Sequence, residues 1–153
     1  MGARASDSPR VRVAGLMMHE GRVVVVRHRA GDRTYHLLPG GGVDYRETLE
    51  TALLREIREE TGFEARVGEL LFVNDTIDPA GSRHVINITF RADIVGGSMT
   101  DSPDDGNVEA VELIEPELLP RLDLRPPMAS ALLDAINGRP TMGYLGSLFT
   151  AGR

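Results

Sequence analysis

The 153-residue chain contains no cysteine and no tryptophan. The first absence excludes disulfides, thiolate metal sites and cysteine nucleophiles, and it suits a reducing cytoplasm. The second leaves few residues to stack on a base, and Tyr35, Phe72 and Phe90 are read first as core. No apolar run approaches the ~20 residues needed to span a bilayer, and no charged-then-apolar leader precedes Val11, which argues against secretion. Basic charge is also short. The formal net charge is −6, which argues against a general nucleic-acid binder, since that function needs a basic footprint. An acidic protein that handles phosphates must reverse its field locally, most simply with a divalent cation.

What is present is ordinary for one globular domain: 41% hydrophobic and 26% charged residues, long enough to bury a core. Met1 to Ser6 matches a loose N-myristoylation pattern, but residues 1–9 read as a plain flexible leader. Val11 to Met18 and Arg22 to His28 read as a hairpin turned at Glu20-Gly21, with Val23 to Val26 covered on both faces. Tyr35 to Leu38 reads as a brief strand after a loop at Ala30 to Thr34. Glycines follow at Gly40, Gly41 and Gly42, then a helix from about Glu47 to Thr61 closed by Gly62. Arg66 to Ile77 and His84 to Val95 read as an antiparallel pair across an Asp-Pro-Ala-Gly-Ser turn. An acidic loop, a strand at Val108 to Ile114 and a helix opened by Pro126-Pro127 complete a domain over residues 10–139. The tail, 140–153, carries Tyr144, Leu145, Leu148 and Phe149 to pack on the domain or on a second copy. The expected class is α/β, a mixed sheet flanked by helices.

The helix poses a question of charge. At about 100° per residue from Leu49, Glu56, Glu59 and Glu60 fall at roughly 340°, 280° and 20°, overlapping the side of Ala52, Leu53 and Ile57. Carboxylates at this spacing repel, resist burial and oppose the dipole of a helix C-terminus. Arg58 lies on the far side, and on the wheel Arg55 sits beside Glu59 only. The natural neutraliser is a hard cation, Mg²⁺ first, which prefers carboxylate oxygens and keeps phosphates in its shell. The glycines let backbone approach closely or adopt φ > 0, so that a carbonyl can join the metal or an amide can face a phosphate.

Gly41, five residues, Glu47, seven residues and then Arg55-Glu56-Ile57-Arg58-Glu59-Glu60-Thr61-Gly62-Phe63 resemble a complete Nudix box, G-x5-E-x7-R-E-U-x-E-E-x-G-U with U apolar. The resemblance implies an α/β/α sandwich and hydrolysis of a nucleoside diphosphate linked to another group, with Mg²⁺ or Mn²⁺. By position it gives metal-binding and catalytic roles to Glu56, Glu59 and Glu60, a carbonyl ligand at Gly40, and an orienting arginine at Arg55. Glu47 supports the loop, while Gly41 and Arg27 are placed to meet substrate phosphate. Asp101, Asp104, Asp105 and Glu109 are unranked candidates for a further base or ligand. Many members carry Gly-Glu where this chain has Arg46-Glu47, which bears on the turn before the helix.

Substrate is less legible. Arg83 and His84 follow the turn and face substrate or solvent. Pro79 stands about where members acting on ADP-ribose often have a proline, though a turn needs none of that to explain it. Nucleoside triphosphates, ADP-ribose and nucleotide sugars remain open. A nucleotide sensor on the same fold, without turnover, is the alternative that Glu59→Gln separates: an enzyme loses turnover and a sensor keeps affinity. The expected partners are a nucleotide-type small molecule and, from the apolar tail, a second copy of the chain.

Overall fold

The computed structural model describes residues 8–150, so the Met1–Ser6 pattern and most of the leader lie outside the described residues. In chain order the elements are β1 (Arg10–Leu16), β2 (Met18–His19), β3 (Arg22–Ala30), β4 (Arg33–Leu37), β5 (Gly40–Gly42), α1 (Leu49–Thr61), β6 (Phe63–Ile77), β7 (His84–Gly97), β8 (Val108–Ile114), a 3₁₀ turn (Pro116–Arg121), α2 (Ala129–Ile136) and β9 (Tyr144–Ser147). They form two sheets. One is mixed, ordered β5-β1-β7-β6-β9, and the other pairs β3 with β2, β4 and β8, all antiparallel.

The alternation of strand side chains explains the layers. Ala14, Leu16, Val23 and Val25 join Phe72, Leu132 and Ala135 in one core under α2. Val13, Met17 and Val24 join Leu53, Ile57 and Ala92 in a second core under α1. Val23 to Val26 are all fully buried, because β3 lies between both cores. The architecture is the expected α/β/α sandwich.

The expected hairpin is only its own tip. Met18 and His19 pair with Val23 and Arg22, whereas β1 pairs in parallel with β7 and antiparallel with β5. The chain crosses from one sheet to the other at Met17, whose carbonyl accepts from the Val24 amide at 3.0 Å. The glycine run is not a loop but strand β5. None of its three glycines has positive φ; what they supply is closeness, since a Cβ on Gly40 would come within 2.0 Å of the Val13 carbonyl oxygen.

Helix α1 starts at Leu49, two residues later than expected, because Thr48 is the cap: its hydroxyl accepts from the Thr51 amide at 3.1 Å. The turn before it places Arg46 at φ 69°, in the left-handed region that glycine favours. Arg46 therefore keeps the turn geometry at a cost. At the other end Gly62 closes the helix at φ 80°. The tail folds back on the domain: β9 pairs with β6, and Leu145 and Leu148 pack on the α2-side core.

Candidate active site

A cleft of about 630 Å³ opens where β5 and the last turns of α1 meet the ends of β1 and β7. Glu60 lies at its floor, 2% exposed, and accepts a hydrogen bond from the Gly40 amide at 2.7 Å. Burial pushes its carboxyl up to about 8, against the pull of that amide and of Arg12. Glu56 sits beside Gly41, where an added Cβ would come within 2.4 Å of the carboxylate carbon. That contact accounts for the glycine. Burial also raises the Glu56 carboxyl, even though Arg55 donates to its Oε1 at 2.8 Å.

Arg55 is the brace of this end of the helix. It donates from Nε and Nη2 to the two oxygens of Glu47, both at 2.8 Å, and from Nη2 to the Gly42 carbonyl at 3.2 Å. The fork holds the Glu47 carboxyl down to about 2 and raises the guanidinium above its ordinary range. The wheel placed Arg55 beside Glu59 alone. Its length lets it span from Glu47 across to Glu56, with Glu59 at 3.5 Å.

A third carboxylate arrives from the acidic loop. The last carbonyls of a helix lack partners of their own. In α1 the Thr61 carbonyl takes the Thr100 amide and the Glu59 carbonyl takes the Asp104 amide, each at 2.8 Å. Docked in this way, the loop carries Asp105 to the cleft. Oxygens of Glu56, Glu60 and Asp105 all lie within 4.8 Å of one another. Glu59 lies outside that group, with its side chain 39% exposed. Of the four loop candidates, Asp105 alone lines the cleft.

Comparison with known proteins decides the family. A model of the NUDIX domain matches residues 8–135. The chain belongs to the Nudix family. It is 34% identical over 106 residues to an ADP-ribose pyrophosphatase of Methanocaldococcus jannaschii, covering 69% of this chain and 63% of that protein. It thus spans less than two thirds of that relative's length. It is 34% identical over 131 residues to a MutT-like protein of Streptomyces ambofaciens, covering 84% of this chain and 77% of that one. Among solved structures it resembles a MutT NUDIX hydrolase from Burkholderia pseudomallei, with TM-score 0.68, 33% identity and coverage of 82% and 96%.

Within this Nudix fold the residues suit a divalent cation. Three hard oxygen donors converge, one of them buried and carrying a carboxyl that resists ionisation without a counter-charge. The Gly40 amide is taken by Glu60, so of the expected uses of that residue only the carbonyl remains.

Arg27 is placed differently from the phosphate-facing role the resemblance gave it. It does not line the cleft; it donates to Glu109 at 2.9 Å and to Glu112 at 2.7 Å, on the outer side of β3 and β8. Glu109 is occupied by Arg27 and Arg29, and His84 turns to Asp75 at 3.5 Å. Arg83 does reach the cleft, with Arg10, Arg12 and Arg125. Sequence reading passed over Arg10 and Arg12, although RVRVAGL alternates charge with valine and so puts both on one face of β1. Tyr35 is not core: it lines the cleft with the Arg125 guanidinium stacked 4.3 Å from its ring centre.

Proposed function

We propose that this chain hydrolyses a pyrophosphate bond in a nucleoside diphosphate linked to another group, with Glu56, Glu60 and Asp105 holding Mg²⁺ or Mn²⁺. The observation that carries the reading is the convergence of those three carboxylates within 4.8 Å in a cleft of nucleotide size. Bound there, the cation supplies neutralising charge for the phosphate oxygens and acidifies water.

The chain's own residues do the rest. Arg55 fixes Oε1 of Glu56, leaving the other oxygen to take the proton of the attacking water. The Gly40 amide pins Glu60 through Oε1, so the buried carboxylate does not swing toward the core. The docked loop brings Asp105 in from outside the helix, and the Gly40 carbonyl is a further proposed ligand. Glu59, held near Arg55, takes an outer position and a smaller share of the work. Positioning and charge account for most of the acceleration in such transfers.

Within this class ADP-ribose is the first substrate to test, because the archaeal relative carries that name and Pro79 sits in the turn whose neighbours Asp78, Ser82 and Arg83 line the cleft. Cysteine-free composition supports a cytoplasmic location. The test is chromatographic product analysis after incubation with nucleoside triphosphates, 8-oxo-dGTP, ADP-ribose, NDP-sugars and dinucleoside polyphosphates, with and without Mg²⁺. Metal-dependent release of a monophosphate is the expected result. Nucleotide binding without turnover of any of them would replace the enzyme with a sensor.

A further inference from the structure

We propose that Arg10, Arg12 and Arg83 form a phosphate clamp facing the carboxylate floor, a role that rests on the cleft taking a pyrophosphate and that goes beyond the family's box. All seventeen basic side chains of the protein are arginine, and most of the described ones that are not fully exposed have a carboxylate partner. Arg12 does not. It is half-buried, and among the described residues its one side-chain hydrogen bond runs from Nη2 to the Leu38 carbonyl at 2.9 Å. Burial of a charge is costly, and Glu60 and Glu56 offset it only from a distance, so the Arg12 guanidinium is left with donors free to take a further anion in contact.

The strand register extends this point into a surface. Arg10 and Arg12 stand two apart on β1, opposite Val85 and Asn87 of β7, and all four line the cleft. Arg10 reaches over β5, where a Cβ on Gly42 would sit 3.4 Å from its Nη2. Arg83 enters from the turn between β6 and β7. Among the described residues, none of the three lies within ion-pair distance of a carboxylate, although the same cleft contains Glu56, Glu60 and Asp105. Guanidinium groups without a contact partner and crowded carboxylates in one cleft fit a ligand that offers anionic oxygens to the first and shares a cation with the second. Guanidinium forks match phosphate geometry closely.

The probe is inorganic pyrophosphate, titrated calorimetrically into protein freed of divalent cations, so that the clamp is read apart from the metal. Arg10→Gln and Arg83→Gln, both at exposed positions, are each expected to weaken binding roughly tenfold, the scale of one charge-assisted contact. Arg12→Lys keeps part of the affinity that Arg12→Gln loses, and Arg66→Gln, remote from the cleft, leaves it intact. Unchanged affinity in Arg10→Gln and Arg83→Gln overturns the clamp, as does an equal loss in Arg66→Gln or no binding by the unaltered protein. The nucleotide panel separates this from the reading it rests on. Turnover by the unaltered protein with no clamp effect on pyrophosphate binding keeps the hydrolase and sinks the clamp. A clamp effect with no turnover does the reverse.

Discussion

Two separate arginine–carboxylate networks of this molecule are built from the same groups at similar distances. On the outer side of β3 and β8, Arg27 and Arg29 share Glu109, and Arg27 also holds Glu112, at 2.7 to 2.9 Å. Every charge there has a partner. In the cleft, Arg55 holds Glu47 and Glu56 equally tightly, but among the described residues Glu60 and Asp105 have no basic side chain within ion-pair distance and Arg12 has no carboxylate there, since Arg12 and Glu60 attract each other only at longer range. The outer network is complete as it stands, so it can serve only the fold. The cleft network is incomplete in both signs at once, and that incompleteness, more than the number of charges, separates a site from a surface.

If the comparison is right, its two halves should fail differently. Glu60→Gln and Glu56→Gln are expected to lower kcat by roughly 10²- to 10³-fold or more, as removal of one preorganised charge does. Glu59→Gln should cost less, being outside the group. Equal losses for Glu59 and Glu60 in steady-state assays would break the ranking. Glu60→Gln should also raise the melting temperature of metal-free protein near pH 7, because the native carboxyl must keep a proton that the unfolded chain releases, a cost glutamine does not carry.

Saturating Mg²⁺ or Mn²⁺ should stabilise the folded protein by about 2.7 kcal/mol at a hundredfold excess over Kd. Calorimetry with and without chelator checks this, and Glu60→Gln should blunt it.

The pH dependence of chelator-treated protein sharpens the contrast further. The folded Glu60 carboxyl is pushed up to about 8, whereas in the unfolded chain it titrates in the ordinary range, near 4.3. Between those values the folded state retains a proton that the unfolded state has released, so stability falls as pH rises through that window and levels off above it. Urea titrations at a series of pH values should show the fall in the unaltered protein and lose it in Glu60→Gln.

The outer network should respond weakly. Glu109→Gln is expected to lower unfolding stability only slightly, as for other exposed pairs, with a far smaller effect on turnover than Glu60→Gln. The smallest effect concerns the turn before α1. Arg46 occupies left-handed backbone, and Arg46→Gly should stabilise by roughly 0.5 kcal/mol, relief of strain exceeding the entropy glycine adds to the unfolded chain.

How much of this was legible depended on the range of the interactions. The glutamate helix was readable because its apolar stripe and closing glycine act over a few residues, although its Thr48 cap was passed over; the β6–β7 pair was readable around its turn. Strand β5 was not, since three glycines have no strand preference and form one only by pairing with β1, where Val13 crowds Gly40 and Glu56 crowds Gly41. The β1–β7 pairing joins residues far apart in the chain, which no local pattern encodes. Asp105 could not be ranked above its neighbours because its position depends on two loop amides finding the last carbonyls of α1. Arg27 misled for the same reason: its end-of-strand position is visible in sequence, while Glu109 and Glu112, which hold it, come from β8 much later.

The interior place of β1 in its sheet has a further consequence in time. Its neighbours are β5 and β7, and the β7 partner of Arg12 is Asn87, so as the chain emerges from a ribosome β1 exists long before one of its edges can be closed. Such distant pairings slow folding, and an apolar strand with an open edge is what recruits other chains meanwhile. Arginines at alternate positions of that strand interrupt its apolar run, the kind of charge that limits such sticking while the edge is open.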